Sequence, residues 1–334
     1  MKIAVKKGDD MHLHLRRGQI LRSVIGFTSS QFKRAVIMPN TGPPILTAKD
    51  AVAYRDEIMQ YQVGDFQPLM TIQVTDCTTP AMIEEAKEAG VVAGKVYPQG
   101  VTTNSQNGIA NFKAIYPALR EMQNQQMLLL LHGESPDPEV FCLDREEVFL
   151  STLANLAGDF PELKIVLEHI TTEKAVLAVK KFENVAATIT AHHLLLTLDD
   201  VIGNLISPHN FCKPIAKRPE DRWTLRQAAI SGNPKFFYGG DSAPHAKEMK
   251  ECSNGCAGIF NAPVALPLLA QIFAKYSGFS FLNDFISKFG ADFYGLPQTK
   301  ETIILAEKDW PVPNEYDGIV PFMAGKTLRY QVID

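Results

Sequence analysis

No stretch of the 334-residue chain approaches 18 consecutive apolar residues, so no segment reads as a membrane-spanning helix. The N-terminus, MKIAVKKGDDMHLHL, carries lysines but lacks the apolar centre of a secretory signal. There is no long basic run, and the formal net charge is −4, which argues against a nucleic-acid phosphate backbone as partner. The five cysteines (Cys77, Cys142, Cys212, Cys252 and Cys256) are scattered and odd in number, which fits reduced thiols better than a disulfide framework. Cys252 and Cys256 have no second Cys or Cys/His pair at zinc-finger spacing, so they do not argue for a structural zinc. What remains is a cytoplasmic protein handling a small molecule. With 46% apolar and 21% charged residues the chain is neither disordered nor fibrous, and it has enough apolar surface for a large core.

Short apolar or β-branched runs recur about eight times, each broken by a polar residue and followed by a helical pattern. The runs end at His12–His14, Asn40, Asp76, Lys95, His132, His169, His192 and Asp241. Amphipathic helices are predicted at about 47–61, 80–89, 110–123, 144–157, 171–182, 219–231 and 265–276, with Thr47 and Thr79 as caps. Continuous apolar strands fit a parallel sheet buried on both faces. A doubly wound open sheet collects its site at one switch point, whereas a barrel draws functional side chains from the C-terminal ends of many strands. The pattern therefore predicts a single (β/α)₈ barrel over about 1–278. Residues 279–334, with one helix in FLNDFISKFGADFYGLP and β-like runs at TIILAE and LRYQVID, read as a short C-terminal extension.

His12 and His14 are two apart in an apolar stretch, and the period of two in a strand puts both imidazoles on one face. Lys95, His132 and His169 are spaced by 37 residues each, about one βα unit, and Asp241 follows His169 by about two such units. All would project into one mouth. Imidazole and carboxylate ligands without thiolate suit Zn²⁺, and two ions fit the number of ligands better than one. Lys95 is the odd member, since an ammonium with a reference pKa of about 10.4 is repelled by dications. Three readings stand open for it: a salt bridge to Asp76 or Glu134, a Schiff-base lysine as in a barrel aldolase, or a carbamate formed with CO₂ that bridges two cations. His192 and His193, adjacent on a strand, would face opposite sides, so at most one reaches the mouth. His209 reads as solvent-facing, and His245, four residues after Asp241, as the better candidate.

The stretches HLHLR (12–16), MPNTGPP (38–44), GKVYP with TTNS (94–105), LLLHGE (129–134), EHITT (168–172), ATIT-x-HHL (187–194), PIAKR (214–218), GGDSAPH (239–245), GCAGIFNAP (255–263) and FYGLP (293–297) occur in order along most of the barrel. In them the chain resembles the dihydroorotase family, of the shorter bacterial and yeast type, within the amidohydrolase superfamily. The resemblance implies reversible interconversion of N-carbamoyl-L-aspartate and L-dihydroorotate in pyrimidine synthesis. It implies one zinc on His12, His14, carboxylated Lys95 and Asp241, and a second on the same carboxylated lysine, His132 and His169. A bridging hydroxide would attack the ring carbonyl, with Asp241 as general acid and base. Arg16, Asn40 and His245 would grip the substrate carboxylate, the backbone at Lys213 and Ala257 would line the ring, and Thr102 and Thr103 would close over it on the polar segment QGVTTNSQNG. A homodimer is the family expectation. Three residues depart from the usual pattern: Arg17 stands where an acidic residue is expected, Gly240 where a threonine is common, and Lys213 where a leucine is common.

Overall fold

A computed structural model describes residues 1–333. Eight parallel strands follow one another around a barrel in chain order: β2 (Asp9–Leu13), β3 (Arg34–Ile37), β4 (Gln67–Val74), β5 (Ala93–Val96), β6 (Leu128–His132), β7 (Ile165–Glu168), β8 (Val185–Ile189) and β9 (Phe236–Tyr238). The last strand returns to the first through Asp241 N donating to His12 O at 2.8 Å and His14 N donating to Ser242 O at 3.0 Å. The expected barrel is what forms, with all eight strands where the apolar runs predict them.

The strands alternate in what they bury. Val36, Ala93, Leu128, Leu130, Val166, Ala186 and Phe237 fill the barrel interior, closed at one end by Phe289 and Tyr294. Ile37, Val96, Leu129, Leu131, Ile165 and Leu167 face the outer helices in the larger core. This period of two fixes which polar residues enter the mouth. Lys95 continues the inward row of Ala93, and His132 that of Leu128 and Leu130.

The predicted helices form at Ala48–Met59, Pro80–Glu88, Tyr116–Asn124, Arg145–Asp159, Glu173–Lys181, Pro219–Ile230 and Ala265–Lys275. Thr47 and Asp50 make a reciprocal capping box, and Thr79 caps Met82 N ahead of Pro80. The helix expected from 110 begins instead as a 3₁₀ turn, Phe112–Ile115, with Pro117 in the first turn of the α-helix that follows. A further helix, Gly18–Ser29, was not among those predicted, although Leu21, Val24, Ile25 and Thr28 bury one face of it.

At the C-terminal end, the expected helix is a wide π-type turn, Asp284–Lys288, running into Phe289–Tyr294 and stopped by Gly295 in the left-handed region (φ 69°). Beyond it β10 (Thr302–Pro311) and β11 (Thr327–Ile333) form an antiparallel sheet with β1 (Lys2–Lys6). The N-terminal strand, absent from the sequence reading, thus pairs some three hundred residues away. No helix among the described residues is long and apolar enough to cross a membrane.

Candidate active site

The left-handed backbone of three residues shapes the mouth. Arg16 (φ 59°), His169 (φ 41°) and Asp241 (φ 45°) all adopt a conformation that side-chain-bearing residues rarely take. Such strain collects at functional sites, where surrounding structure holds it. On β7 it is Glu168, continuing the row of Val166, that points inward by register; the turn at His169 brings the next side chain into the mouth as well.

His12, His14 and Asp241 converge, with ligand atoms all within 4.8 Å of one another and all three residues buried. His12 Nε2 and His14 Nε2 are 3.2 Å apart, and Asp241 Oδ1 lies 3.2 Å from His14 Nε2 and 3.5 Å from His12 Nε2. β2 ends at Leu13 after a register shift, so the meeting of the two imidazoles owes as much to that irregularity as to strand period. The ring of His169 sits 5.0 Å from that of His12 and 4.8 Å from that of His132. Lys95 lies beneath them, fully buried, its ammonium 5.1 Å from the Tyr97 ring centroid.

Buried carboxylates orient the histidines. His12 Nδ1 is 2.8 Å from Glu168 Oε2, which also accepts from the Thr188 hydroxyl, and His132 Nε2 is 2.8 Å from Glu134 Oε2. A carboxylate on one imidazole nitrogen fixes the tautomer and leaves the other nitrogen's lone pair free to coordinate. Burial, which alone would raise the Glu168 and Glu134 carboxyls, is outweighed by the imidazole beside each, and both stay below their usual range. Burial also pushes His14 and His169 well below the ordinary imidazole value, aided by Arg16 at His14 and by His132 at His169, so these rings are neutral donors. It raises Asp241, with His12 pulling the other way. Lys95 is lowered by burial to about 8, against the opposing pull of Glu168 and Asp241.

Three buried nitrogens at this centre, His14 Nδ1, Lys95 Nζ and His169 Nδ1, make no hydrogen bond. The alternative of a Lys95 salt bridge to Asp76 or Glu134 does not form: Asp76 is exposed, and Glu134 is engaged with His132.

Around this centre lies a cavity of about 20 Å³, lined by His12, His14, Arg16, Asn40, Tyr97, Thr102, Thr103, His132, His169, Cys212, Lys213, Asp241, Ala243, Ala257 and Gly258. That is room for about one water, and one wall of it is formed by the loop carrying Thr102 and Thr103. Asn40 pins it: its amide donates to Thr103 O at 3.2 Å, and Asn104 donates to Asn40 O at 3.0 Å. His245 stands behind Arg16, its Nε2 3.0 Å from the guanidinium and 3.1 Å from Ala257 O, while Arg16 Nε donates to Pro244 O. Burial first, and Arg16 second, lower His245 to about 3, so it is neutral.

Other expectations fare differently. β8 ends at Ile189, so His192 and His193 lie in a turn and do not face opposite sides; their rings are 4.5 Å apart. His193 bonds Thr190 and Pro214 O, and His192 bonds Asn261, all within the wall behind the mouth. His209 is half-buried and paired with Glu251. Arg17 pairs with Glu57, and Gly240 leaves no room for a threonine, since a Cβ there would lie 2.6 Å from both Asp10 Oδ2 and Tyr238 Oη. Glu168, Thr188 and the orienting role of Glu134 are among what sequence reading missed. The signal for Glu168 was available, since it directly precedes a candidate ligand and shares the inward register of its strand.

No protein-family model matches the chain. It is 47% identical over 338 residues to a dihydroorotase of Teredinibacter turnerae, covering 99% of this chain and 98% of that protein. A Campylobacter jejuni dihydroorotase structure superposes with a TM-score of 0.93 at 42% identity, over 100% of this chain and 98% of that one. A Saccharomyces cerevisiae dihydroorotase, solved with 5-fluoroorotic acid, gives a TM-score of 0.93 at 38% identity over 99% of this chain and 98% of its own.

Proposed function

The chain belongs to the dihydroorotase family, and from that premise we propose that it interconverts L-dihydroorotate and N-carbamoyl-L-aspartate at the barrel mouth, using two zinc ions. It is a hydrolase of the cyclic amide bond, acting in pyrimidine biosynthesis. One observation carries the metal reading: a fully buried lysine without a hydrogen-bond partner, set among neutral histidines beside a buried carboxylate. An unpaired donor in that position costs about 1–3 kcal/mol, so the arrangement calls for cations on the imidazoles and a changed lysine.

The donor set fits. His12, His14 and Asp241 would hold one ion, His132 and His169 the other, and a carboxylated Lys95 both. The lowered pKa of Lys95 favours that modification, because the neutral amine is the form that adds CO₂: an N–C bond forms and a proton leaves. When bound, the ions act as Lewis acids toward the ring carbonyl and make hydroxide available near neutral pH.

The chain's own residues do the rest. Asp241, its carboxyl raised by burial, accepts the proton of the attacking water and delivers it to the ring nitrogen as the C–N bond breaks; in cyclisation the transfers reverse. Arg16 presents a planar fork to the substrate carboxylate, steadied by Pro244 O and His245, and Asn40 flanks it. Backbone at Lys213 and Ala257 lines the ring. The loop with Thr102 and Thr103, which lines the cavity and is hydrogen-bonded to Asn40, would close over bound substrate and exclude water. We read the chain as one barrel with a C-terminal extension from about residue 279, a homodimer in the cytoplasm, with no nucleic-acid or membrane partner.

A hydantoinase or dihydropyrimidinase would share the metal donors but bind a neutral ring, which the Arg16 fork disfavours. Turnover of L-dihydroorotate is compared with that of hydantoin and dihydrouracil. The expected outcome is strong preference for dihydroorotate; preference for a neutral ring would overturn the substrate reading. Trapping of substrate on Lys95 by borohydride would instead favour a Schiff-base lysine.

A further inference from the structure

Lys250 closes the short helix Lys247–Lys250 and is only 4% exposed, yet no carboxylate pairs with it among the described residues. Lysine is seldom buried without a counter-charge, because desolvating an ammonium is costly. Its three protons all go to backbone oxygens: Phe211 O at 3.2 Å, Cys256 O at 3.1 Å and Gly258 O. These carbonyls belong to two segments far apart in sequence. One leads into Cys212 and Lys213 and the other holds Ala257 and Gly258, and all four residues line the mouth cavity. Gly258 N also donates to Phe211 O at 3.0 Å, so the two segments meet at the ammonium. Gly258 is fitted closely there, at φ 148°, where a Cβ would lie 2.6 Å from Ala243 O.

From this geometry we propose that Lys250 is a positioning residue for the reaction: its ammonium clamps the 211–213 and 256–258 backbones together so that they present a fixed wall to the substrate ring. The clamp also acts electronically. A cation on the carbonyl of Cys256 polarises that peptide, which makes the N–H of Ala257 a stronger donor. Lys250 touches no reacting atom, so its contribution is to binding geometry and falls on KM more than on kcat. This rests on the reading of Lys213 and Ala257 as ring-lining backbone.

The test uses the metal-loaded enzyme with Lys250→Met, which keeps length and removes donors and charge, beside Lys250→Arg, which keeps both. Steady-state kinetics in both directions are combined with amide hydrogen exchange. Expected for Lys250→Met is a KM raised about tenfold or more for both substrates. Its kcat should fall far less, and faster exchange should be confined to residues near 211–213 and 256–259. Lys250→Arg should recover most of the KM.

Unchanged exchange at these segments would overturn the clamp. Faster exchange there with an unchanged KM would overturn the ring-lining reading on which the proposal rests. If kcat fell with KM constant, or if neither variant folded, Lys250 would be acting on chemistry or on the whole barrel, and the proposal would fail.

Discussion

At the residue scale, the site sets imidazoles that burial keeps neutral beside a buried carboxylate, Asp241, to which the proposed function gives the proton transfers. Asp241→Asn keeps the shape of the side chain and removes its basicity. Its kcat is expected to fall by about 10²–10⁴-fold, the usual contribution of a positioned acid–base group, with an unchanged circular-dichroism spectrum. A fall of less than about threefold would exclude Asp241 as the proton carrier. His245 gives a pH prediction. Its pKa is lowered to about 3 by burial and by Arg16, so it gains a proton only far below neutrality. The KM for dihydroorotate should therefore show no His245-dependent limb between about pH 6 and about pH 9, a range in which an unperturbed histidine would titrate. This is checked by pH profiles of KM for the parent and for His245→Gln; a limb near pH 6.5 that disappears in the variant would contradict it. Most of these residues were legible in the sequence because inward register follows from a period of two, as for Lys95 and His132. The positive φ of His169 and Asp241, which turns the His169 side chain into the mouth beside the inward-facing Glu168, was not, since no local residue preference announces a left-handed turn at a histidine or an aspartate.

At the element scale, β9 illustrates how tightly the wall behind the mouth is filled. Tyr238 and Asp10 occupy the space that a side chain at residue 240 would need. Gly240→Thr is expected to cost about 1–3 kcal/mol by overpacking, read by denaturant unfolding, and part of that cost should be recovered when Tyr238→Phe removes the hydroxyl. Strict additivity of the two changes would show that they do not share this space. The same crowding accounts for glycine at this position: Asp10 and the Tyr238 hydroxyl together fill the space. Helices with caps and apolar stripes, such as Ala48–Met59, could be read directly. Gly18–Ser29 could not, because its N-cap Arg17 makes no capping hydrogen bond and Gly18 enters through a left-handed backbone. Lys250 was hidden in KEMKEC, which reads as a solvated charge cluster until the fold brings residues 211 and 258 to it.

At the scale of the molecule, β1 and the β10–β11 hairpin tie the chain's first and last segments into one sheet, a pairing that no local pattern reveals because its partners are separated by most of the sequence. The barrel itself was legible as a repeat, since each βα unit carries its own polar strand end. Its mouth leaves buried nitrogens unpaired, so metal should stabilise the folded state. Chelation is expected to lower the melting temperature reversibly, with stabilisation of about 4 kcal/mol restored at a thousandfold excess of zinc over Kd. A melting temperature indifferent to chelator and to zinc would remove the structural argument for a metal centre.

The proposed chemistry depends on Lys95 as a carbamate that would bridge two ions. A crystal structure of the purified enzyme, with anomalous data collected at the zinc edge, tests it most directly. Two anomalous peaks are expected, one beside His12 and His14 and one beside His132 and His169, with electron density for an added CO₂ on the Lys95 nitrogen between them. An unmodified Lys95 with no ion or a single one at the mouth would contradict it.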